Sequence, residues 1–369
     1  MEYLAVLGRQ PKISLAELEA LFDDVKSLGP ELAVFKTSDA PDIRRLGGTQ
    51  KIALKIREPV GDFLKKLPEG RKITLGVSDF STKGSAISAQ REALKWKRFL
   101  QKNGRSVRVV ANKSAALSSA TSFHNHLFYE NKIELIRTNQ AYYRVIGVQN
   151  IDDYVRRDRE RPARDAKVGM LPPKLAQILI NLCGNLPDGT CLLDPFCGTG
   201  VVLQEAVLMG YNVQGTDLNE RMVEYTEKNL KWLSEKLKAN LDPILAVGNA
   251  MDFQWQQPVG LVACETYLGQ PMSLPPNEIK LKREKQECSG IIRGFLKNLA
   301  SQIGAGMPVV IAVPAWLRPD GHYERLNILD EIDNLGYNVE SFKNLQQSDL
   351  LYHREKQIVA REIIVLRKK

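Results

Sequence analysis

Cysteine is scarce in this 369-residue chain, and its five copies (Cys183, Cys191, Cys197, Cys264, Cys288) form an odd count without CxxC spacing. That argues against a disulfide framework or a zinc site and for a reducing compartment. Long apolar runs are missing too. No stretch of eighteen or more apolar residues occurs, so no transmembrane helix is expected. The opening Met-Glu-Tyr-Leu-Ala-Val-Leu-Gly-Arg has no basic segment leading into a long apolar one. The expectation is a cytoplasmic chain with no membrane and no metal. Neither an internal repeat nor a low-complexity tract stands out.

What is present is charge, unevenly spread. The net +9 divides into +11 over residues 1–170 and −2 over residues 171–369. Residues 71–110 alone contribute +8, with Trp96 and Phe99 set among Lys95, Lys97 and Arg98. A basic half of this kind suits a polynucleotide, and the other half suits a small-molecule enzyme. A merely solvated basic face is the plainer alternative.

Residues 192–200 read Leu-Leu-Asp-Pro-Phe-Cys-Gly-Thr-Gly, an apolar strand that stops at an acid and enters a glycine-bearing turn before a helix over Val201–Met209. Gly198 and Gly200 give the backbone room to approach a ligand at the helix N-terminus. A phosphate loop needs Lys-Ser or Lys-Thr after the glycines, and Val201-Val202 stands there. Asp194 would repel a phosphate. It suits a cationic ligand, and the sulfonium and amino group of S-adenosylmethionine (SAM) fit. Asn212–Asp217 reads as the next strand, ending in a carboxylate placed to bind ribose hydroxyls. Leu245–Ala250 reads as a third, its tip Asn249-Ala250 suited to the adenine edge. One such tip is weak; three at this spacing outweigh ordinary strand ends capped by turn formers.

Along the chain, residues 1–60 read as a small α+β unit. Tyr3–Leu7 is a strand, and Ser14-x-x-Glu17 a capping box opening a helix through Phe22. Residues 61–150 read as a second α+β unit around a basic helix over Ile87–Asn103. Residues 151–170, dense in both charges, read as a linker. Residues 171–369 alternate strand and helix from a proline-initiated helix at Pro172, as a parallel α/β sheet does. Strand four is Leu261–Cys264 and strand five Val309–Val313. A last hairpin pairs Tyr337–Phe342 with Ile358–Leu366, and the antiparallel final strand is expected at the sheet edge.

Several segments, in order, resemble the THUMP-domain Rossmann-fold tRNA methyltransferases, especially the tRNA guanosine-10 N2-methyltransferase family. They are Leu7-Gly8-Arg9-Gln10-Pro11, Gly104-x-x-Val107-Arg108-Val109-Val110, Leu117-Ser118-Ser119-Ala120, Arg156-Arg157-Asp158-x-x-Arg161-Pro162 and Gly169–Ala176. Asp194–Gly200, Gly215-Thr216-Asp217 and Arg361–Leu366 complete the likeness. The resemblance implies a ferredoxin-like domain over 1–60, a THUMP-like RNA-binding domain over 61–150 and a SAM-dependent methyltransferase domain over 171–369. It implies tRNA as partner, gripped by shape and phosphate contacts. Arg91, Lys95, Lys97, Arg98, Lys102, Arg105 and Arg108 are the candidate phosphate-facing residues. Met170 and Pro172 would lie beside the methionine end of SAM. Asp194, Phe196, Gly198, Thr199, Gly200, Asp217, Leu218, Asn249 and Ala250 would complete the cofactor site. A small activating subunit is a further candidate partner.

The chain departs from this pattern after strand four. Exocyclic-amine methyltransferases usually carry Asp/Asn-Pro-Pro-Tyr/Phe there, the polar group holding the amine and the ring stacking on a flipped base. Here Glu265 replaces the acid, Thr266-Tyr267 the prolines and Leu268 the aromatic. Glu265 and Tyr267 are therefore the candidate catalytic pair. Cys264 is read as a buried strand residue, not a nucleophile. The reading is methyl transfer to an exocyclic amine of a tRNA base, guanosine N2 first. The alternatives are an adenine-N6 methylase on RNA or DNA, and a non-catalytic tRNA-binding protein with an eroded site.

Overall fold

The computed structural model describes residues 1–165, 170–355 and 357–369. The chain divides into two compact units, Met1–Pro11 with Phe22–Asp153 and Lys12–Leu21 with Tyr154–Lys369.

Strand β1 (Glu2–Leu7) leads into helix α1 (Pro11–Leu21), most of which belongs to the second unit. The first unit resumes with β2 (Asp23–Ser27), β3 (Leu32–Lys36), β4 (Thr49–Lys55), α2 (Val60–Lys65), β5 (Ile73–Asp79) and α3 (Ala86–Lys102). It continues through β6 (Val107–Val109), α4 (Ser119–His124), β7 (Phe128–Tyr129), β8 (Lys132–Arg137) and β9 (Tyr142–Val148). The strands lie in the order β2-β3-β1-β4-β9-β8-β5-β6, with β7 on β8. The sequence divides this region at residue 60; the sheet does not. Antiparallel pairing of β4 with β9 joins residues 49–55 to residues 142–148. Tertiary pairing of this range is invisible to local pattern.

One polar knot fixes the interior of this unit. Lys51 on β4 and Glu134 on β8 are 2% and 0% exposed, with Nζ 2.6 Å from Oε1. Lys51 also donates to the Leu117 carbonyl at 2.7 Å, and Ser78 and Ser122 donate to the two Glu134 oxygens at 2.5 and 2.6 Å. A buried ion pair stripped of one partner leaves an uncompensated charge. Lys51→Met is therefore expected to cost about 3–5 kcal/mol in a denaturant melt. An unchanged midpoint would contradict it.

The second unit opens with α5 (Ile151–Arg159), whose first residues close the first unit, and α6 (Pro173–Asn181). It proceeds through β10 (Cys191–Asp194), α7 (Val201–Leu208), β11 (Asn212–Asp217), α8 (Glu220–Leu237), β12 (Ile244–Val247) and β13 (Leu261–Glu265). Then come α9 (Glu278–Ala300), β14 (Pro308–Leu317), β15 (Tyr323–Arg325), β16 (Tyr337–Val339), β17 (Leu351–Tyr352) and β18 (Val359–Lys368). The sheet order is β12-β11-β10-β13-β14-β18-β16, parallel from β12 to β14. β18 is antiparallel to β14 and lies inside the sheet, because β16 and β17 both pair with its far side. The edge position expected for the final strand belongs instead to β16. α9 buries Leu281, Cys288, Ile292, Phe295, Leu296 and Leu299 against Val262, Val309, Ile311 and Ile364 of the sheet. Each such side chain contributes about 1.5–3 kcal/mol of apolar burial.

Two further expectations change on the structure. α1 starts at Pro11, whose preset φ suits a first helical turn, so Ser14 and Glu17 are interior and buried, not caps. Glu17 accepts a hydrogen bond from Asn181 Nδ2 at 2.7 Å. Residues 151–165 are not a free linker either. Tyr154 hydrogen-bonds Gln177, Arg157 Nε lies 2.7 Å from Glu205 Oε1, and Arg161 and Ala163 are buried. Of the mixed charges that resembled a linker, Arg157 and Asp165 form ion pairs within the second unit. Residues 166–169, including Gly169 of the segment before α6, lie outside the described residues.

Candidate active site

The sheet positions the candidate residues at the carboxyl ends of β10, β11 and β13, where open α/β sheets bind ligands. Asp194 ends β10, is buried, and accepts the Phe196 N–H at 3.1 Å. Asp217 ends β11 and accepts from Gly198 N at 2.9 Å and from Asn219 N at 2.9 Å. Burial, together with the nearby charges of Asp217 and Glu265, pushes the Asp194 carboxyl well above the usual carboxylate range. Burial likewise raises Asp217, against its two backbone hydrogen bonds. Among the described residues neither carboxylate pairs with a cationic side chain. A buried acid beside a partly buried one, neither set against a cationic side chain among the described residues, is costly unless a positive ligand offsets the charge.

The turn between β10 and α7 is held from α8. Gly198 and Gly200 have φ of +51° and +78°, and a Cβ on Gly200 would stand 2.9 Å from Thr226. Thr226 Oγ1 donates to the Gly198 carbonyl at 2.9 Å. Asn229 Nδ2 donates to the Thr199 carbonyl at 2.8 Å and to the Ala163 carbonyl at 2.9 Å. Sequence reasoning missed both residues. Their signal was there: Met222, Thr226, Asn229, Leu230 and Leu233 share a helical face, and two of them are polar where the others are apolar. Phe196 meets Phe295 of α9 edge-on at 5.2 Å.

The remaining cofactor candidates fall around the same tips. Leu218 is exposed beyond Asp217, and the Gly248 N–H bonds the Asp217 carbonyl at 3.0 Å. Asn249 Oδ1 accepts the Met251 N–H at 3.1 Å, and Ala250 is buried. Met170 and Pro172 are half-buried, with the Met170 sulfur 3.0 Å from an Arg161 nitrogen. Behind them, burial raises the Glu205 carboxyl to about 7 against the pull of Arg157.

Glu265 ends β13 with its Oε1 2.5 Å from Arg361 Nε. The pairing was missed from sequence, although an Arg-Glu step inside the apolar run Val359–Leu366 is its trace. Thr266 is buried, its N–H and Oγ1 both bonded to the Ala312 carbonyl at 3.0 and 3.1 Å. Tyr267 is partly buried, accepts from Gln270 Nε2 at 3.0 Å, and is pushed up to about 12 by burial and by Glu287 beside it. Gln270 N and the Gly269 turn rest on the buried Glu284. The loop that lacks the two prolines is thus fixed by hydrogen bonds. Burial holds the Cys264 thiol well above its ordinary range, consistent with a core residue.

This arrangement can do chemistry of a definite kind. A cation can offset a buried carboxylate such as Asp194, and the carboxylates of Asp217 and Glu265 can accept hydrogen bonds from hydroxyl or amine donors. Residues 161–274 match the family described as RMKL-like, methyltransferase domain. This segment is similar to a methyltransferase domain. Similar proteins include the tRNA (guanine(10)-N2)-dimethyltransferase of Methanothermobacter thermautotrophicus, 32% identical over 40% of this chain and 40% of that protein. The enzyme of the same name from Pyrococcus abyssi is 33% identical over 34% of this chain and 37% of its own length. The chain thus spans about two fifths of the curated relatives it matches. TrmN from Thermus thermophilus covers the whole of both chains at 16% identity, with a TM-score of 0.48.

The candidate RNA residues lie in the first unit. Arg91, Lys95, Arg98 and Lys102 are exposed on α3, and Lys97 is half-buried. Lys95 pairs with Glu92 at 3.0 Å and lies over Trp96. Trp96 and Phe99 turn inward against the core, so the aromatics that interleave with lysines in sequence do not share their face. Arg105 is tied to the Leu67 and Pro68 carbonyls, and Arg108, exposed, reaches Asn125 at 3.2 Å. A cleft of about 550 Å³ beside α3 is lined by Lys55, Arg57, Lys95, Trp96 and Tyr142 among others. Among the described residues no cluster suits a metal, and no helix is long and apolar enough to cross a membrane.

Proposed function

We propose that the chain is a SAM-dependent methyltransferase that modifies an exocyclic amine of tRNA, guanosine N2 first. The observation that carries this is the meeting of Asp194, Asp217 and Glu265 at three strand tips, close enough for two of them to raise the third. The donor fits the residues present, because a buried and a partly buried carboxylate, neither paired with a cation among the described residues, match a sulfonium ligand bearing an ammonium and a diol. Asp194 would face its charged end, Asp217 its ribose, and Asn249 with Ala250 its adenine. When bound, SAM supplies an electrophilic methyl whose bond to sulfur breaks, the pair staying on sulfur, as the bond to nitrogen forms.

The chain's own residues prepare the acceptor. Oε2 of Glu265 accepts an N–H of the target amine and turns lone-pair density on nitrogen toward the methyl. The displaced amine proton passes to Glu265 and on to solvent. Tyr267, held by Gln270, stacks on the extruded base. The basic face of the first unit, the THUMP-like module of this reading, grips tRNA through phosphates, with Arg91, Arg98 and Lys102 the exposed contacts. A cytoplasmic location belongs to the same reading. So does a small activating subunit, for which the edge strand β12, with Ile244 and Val247 exposed, offers a side left unpaired among the described residues.

Bulk tRNA incubated with methyl-tritiated SAM should become labelled, and nucleoside mass spectrometry should find N2-methylguanosine. Label in N6-methyladenosine would favour the adenine reading. A second reading has one observation behind it: the Glu265–Arg361 pair also suits a purely structural role, and binding of SAM and tRNA without label would favour it.

Donor binding should depend on pH in a fixed direction. The raised Asp194 binds a cation only when ionised, so below the pKa of the free site uptake of SAM releases a proton and affinity rises with pH, levelling off above it. Calorimetry in buffers of different ionisation enthalpy reads that proton. An affinity that stays flat from mildly acidic to alkaline pH, with no buffer dependence across that range, would remove Asp194 from the site.

A further inference from the structure

The antiparallel course of β18 brings its first residues to the end of the sheet where β13 and β14 finish. Arg361 lies opposite Pro314 of β14, and Glu265 opposite Ala312 of the same strand. Arg361 therefore reaches past β14 to the tip of β13, and it does so while only 4% exposed, against 16% for Glu265. Among the described residues Arg361 is the polar partner of Glu265, through Nε and Oε1 alone. A buried ion pair is a poor way to gain stability, since apolar residues of similar volume serve as well or better. Its place matters instead. Glu265 stands in the field of Asp194, itself beside Asp217, so three carboxylates crowd one end of the sheet and Arg361 is the cation set against Glu265.

We propose that Arg361 is the positioning residue of the acceptor site, fixing Glu265 through Oε1 so that Oε2 is left for the target amine. This rests on the methyl-transfer reading above. Glutamate is one methylene longer than the aspartate usual at this position, and an unanchored longer arm would misplace its oxygens by about 1 Å, which costs about 10²-fold in rate. The guanidinium supplies the anchor that two prolines supply elsewhere by backbone rigidity.

The test compares Arg361→Lys, Arg361→Met, Glu265→Gln and the double variant Arg361→Met/Glu265→Gln with the wild type. Single-turnover transfer from tritiated SAM to unmodified tRNA transcript is expected to fall about tenfold in Arg361→Lys and about 10²-fold in Arg361→Met. The Kd for SAM and the KM for tRNA should stay within about twofold, the pattern of an interaction made only in the transition state. The double variant, which leaves no buried charge unpaired, should be no slower than Glu265→Gln. In NMR, one arginine Nε–H resonance should be shifted downfield in the wild type and move in Glu265→Gln. Full turnover in Arg361→Met, loss of SAM affinity in step with rate, or an unmoved resonance would each overturn the proposal. A wild type that binds SAM and transfers nothing sinks the proposed function and this role with it. Inactive Glu265→Gln beside fully active Arg361→Met sinks the positioning role alone.

Discussion

Glu265→Gln should lower methyl transfer about 10²–10³-fold while SAM and tRNA still bind. Glutamine keeps the length of the side chain and an oxygen for Arg361, but loses the charge that draws an amine proton. It is a cleaner change than Glu265→Ala, which would strand a guanidinium that is 4% exposed and confuse lost chemistry with lost folding. The measurement is single-turnover transfer alongside calorimetric binding of the donor. Full activity in the glutamine variant would place the acceptor site elsewhere.

Asp217→Ala should weaken SAM binding about 10²–10⁴-fold, the loss of two hydroxyl hydrogen bonds to a charged acceptor. Part of that loss would be indirect, because Asp217 also fastens the Gly198 amide and the start of α8 through Asn219. Asp217→Asn separates the two contributions, since the amide oxygen can keep one backbone bond while the charge is gone. Affinity for tRNA, measured by gel shift, should be nearly unchanged in both. Equal loss of donor and tRNA binding would contradict the assignment of the two tasks to separate units.

Much of the second unit was legible because its signals are local. The acid-proline-glycine turn at Asp194–Gly200, the carboxylate closing β11 and the proline-started α6 each announce themselves within a few residues. What stayed hidden depends on partners distant in sequence. Arg361 is 96 residues from Glu265, and Asn229 is 66 from Ala163. Residues 1–60 and 61–150 look separable until β4 is seen beside β9. Charge misled in a similar way. Arg157 in a charge-rich stretch proved to be the partner of the buried Glu205, and composition alone cannot tell a solvated arginine from a paired one. Arg105, grouped by charge with the RNA candidates, holds two backbone carbonyls.

The most direct measurement is a crystal structure with S-adenosylhomocysteine soaked in at saturating concentration. The account predicts the ligand against the Asp194–Gly200 turn, its ribose hydroxyls on the Asp217 carboxylate and its adenine by Asn249. A crevice that stays empty under those conditions, or a ligand seated away from these strand tips, would contradict it.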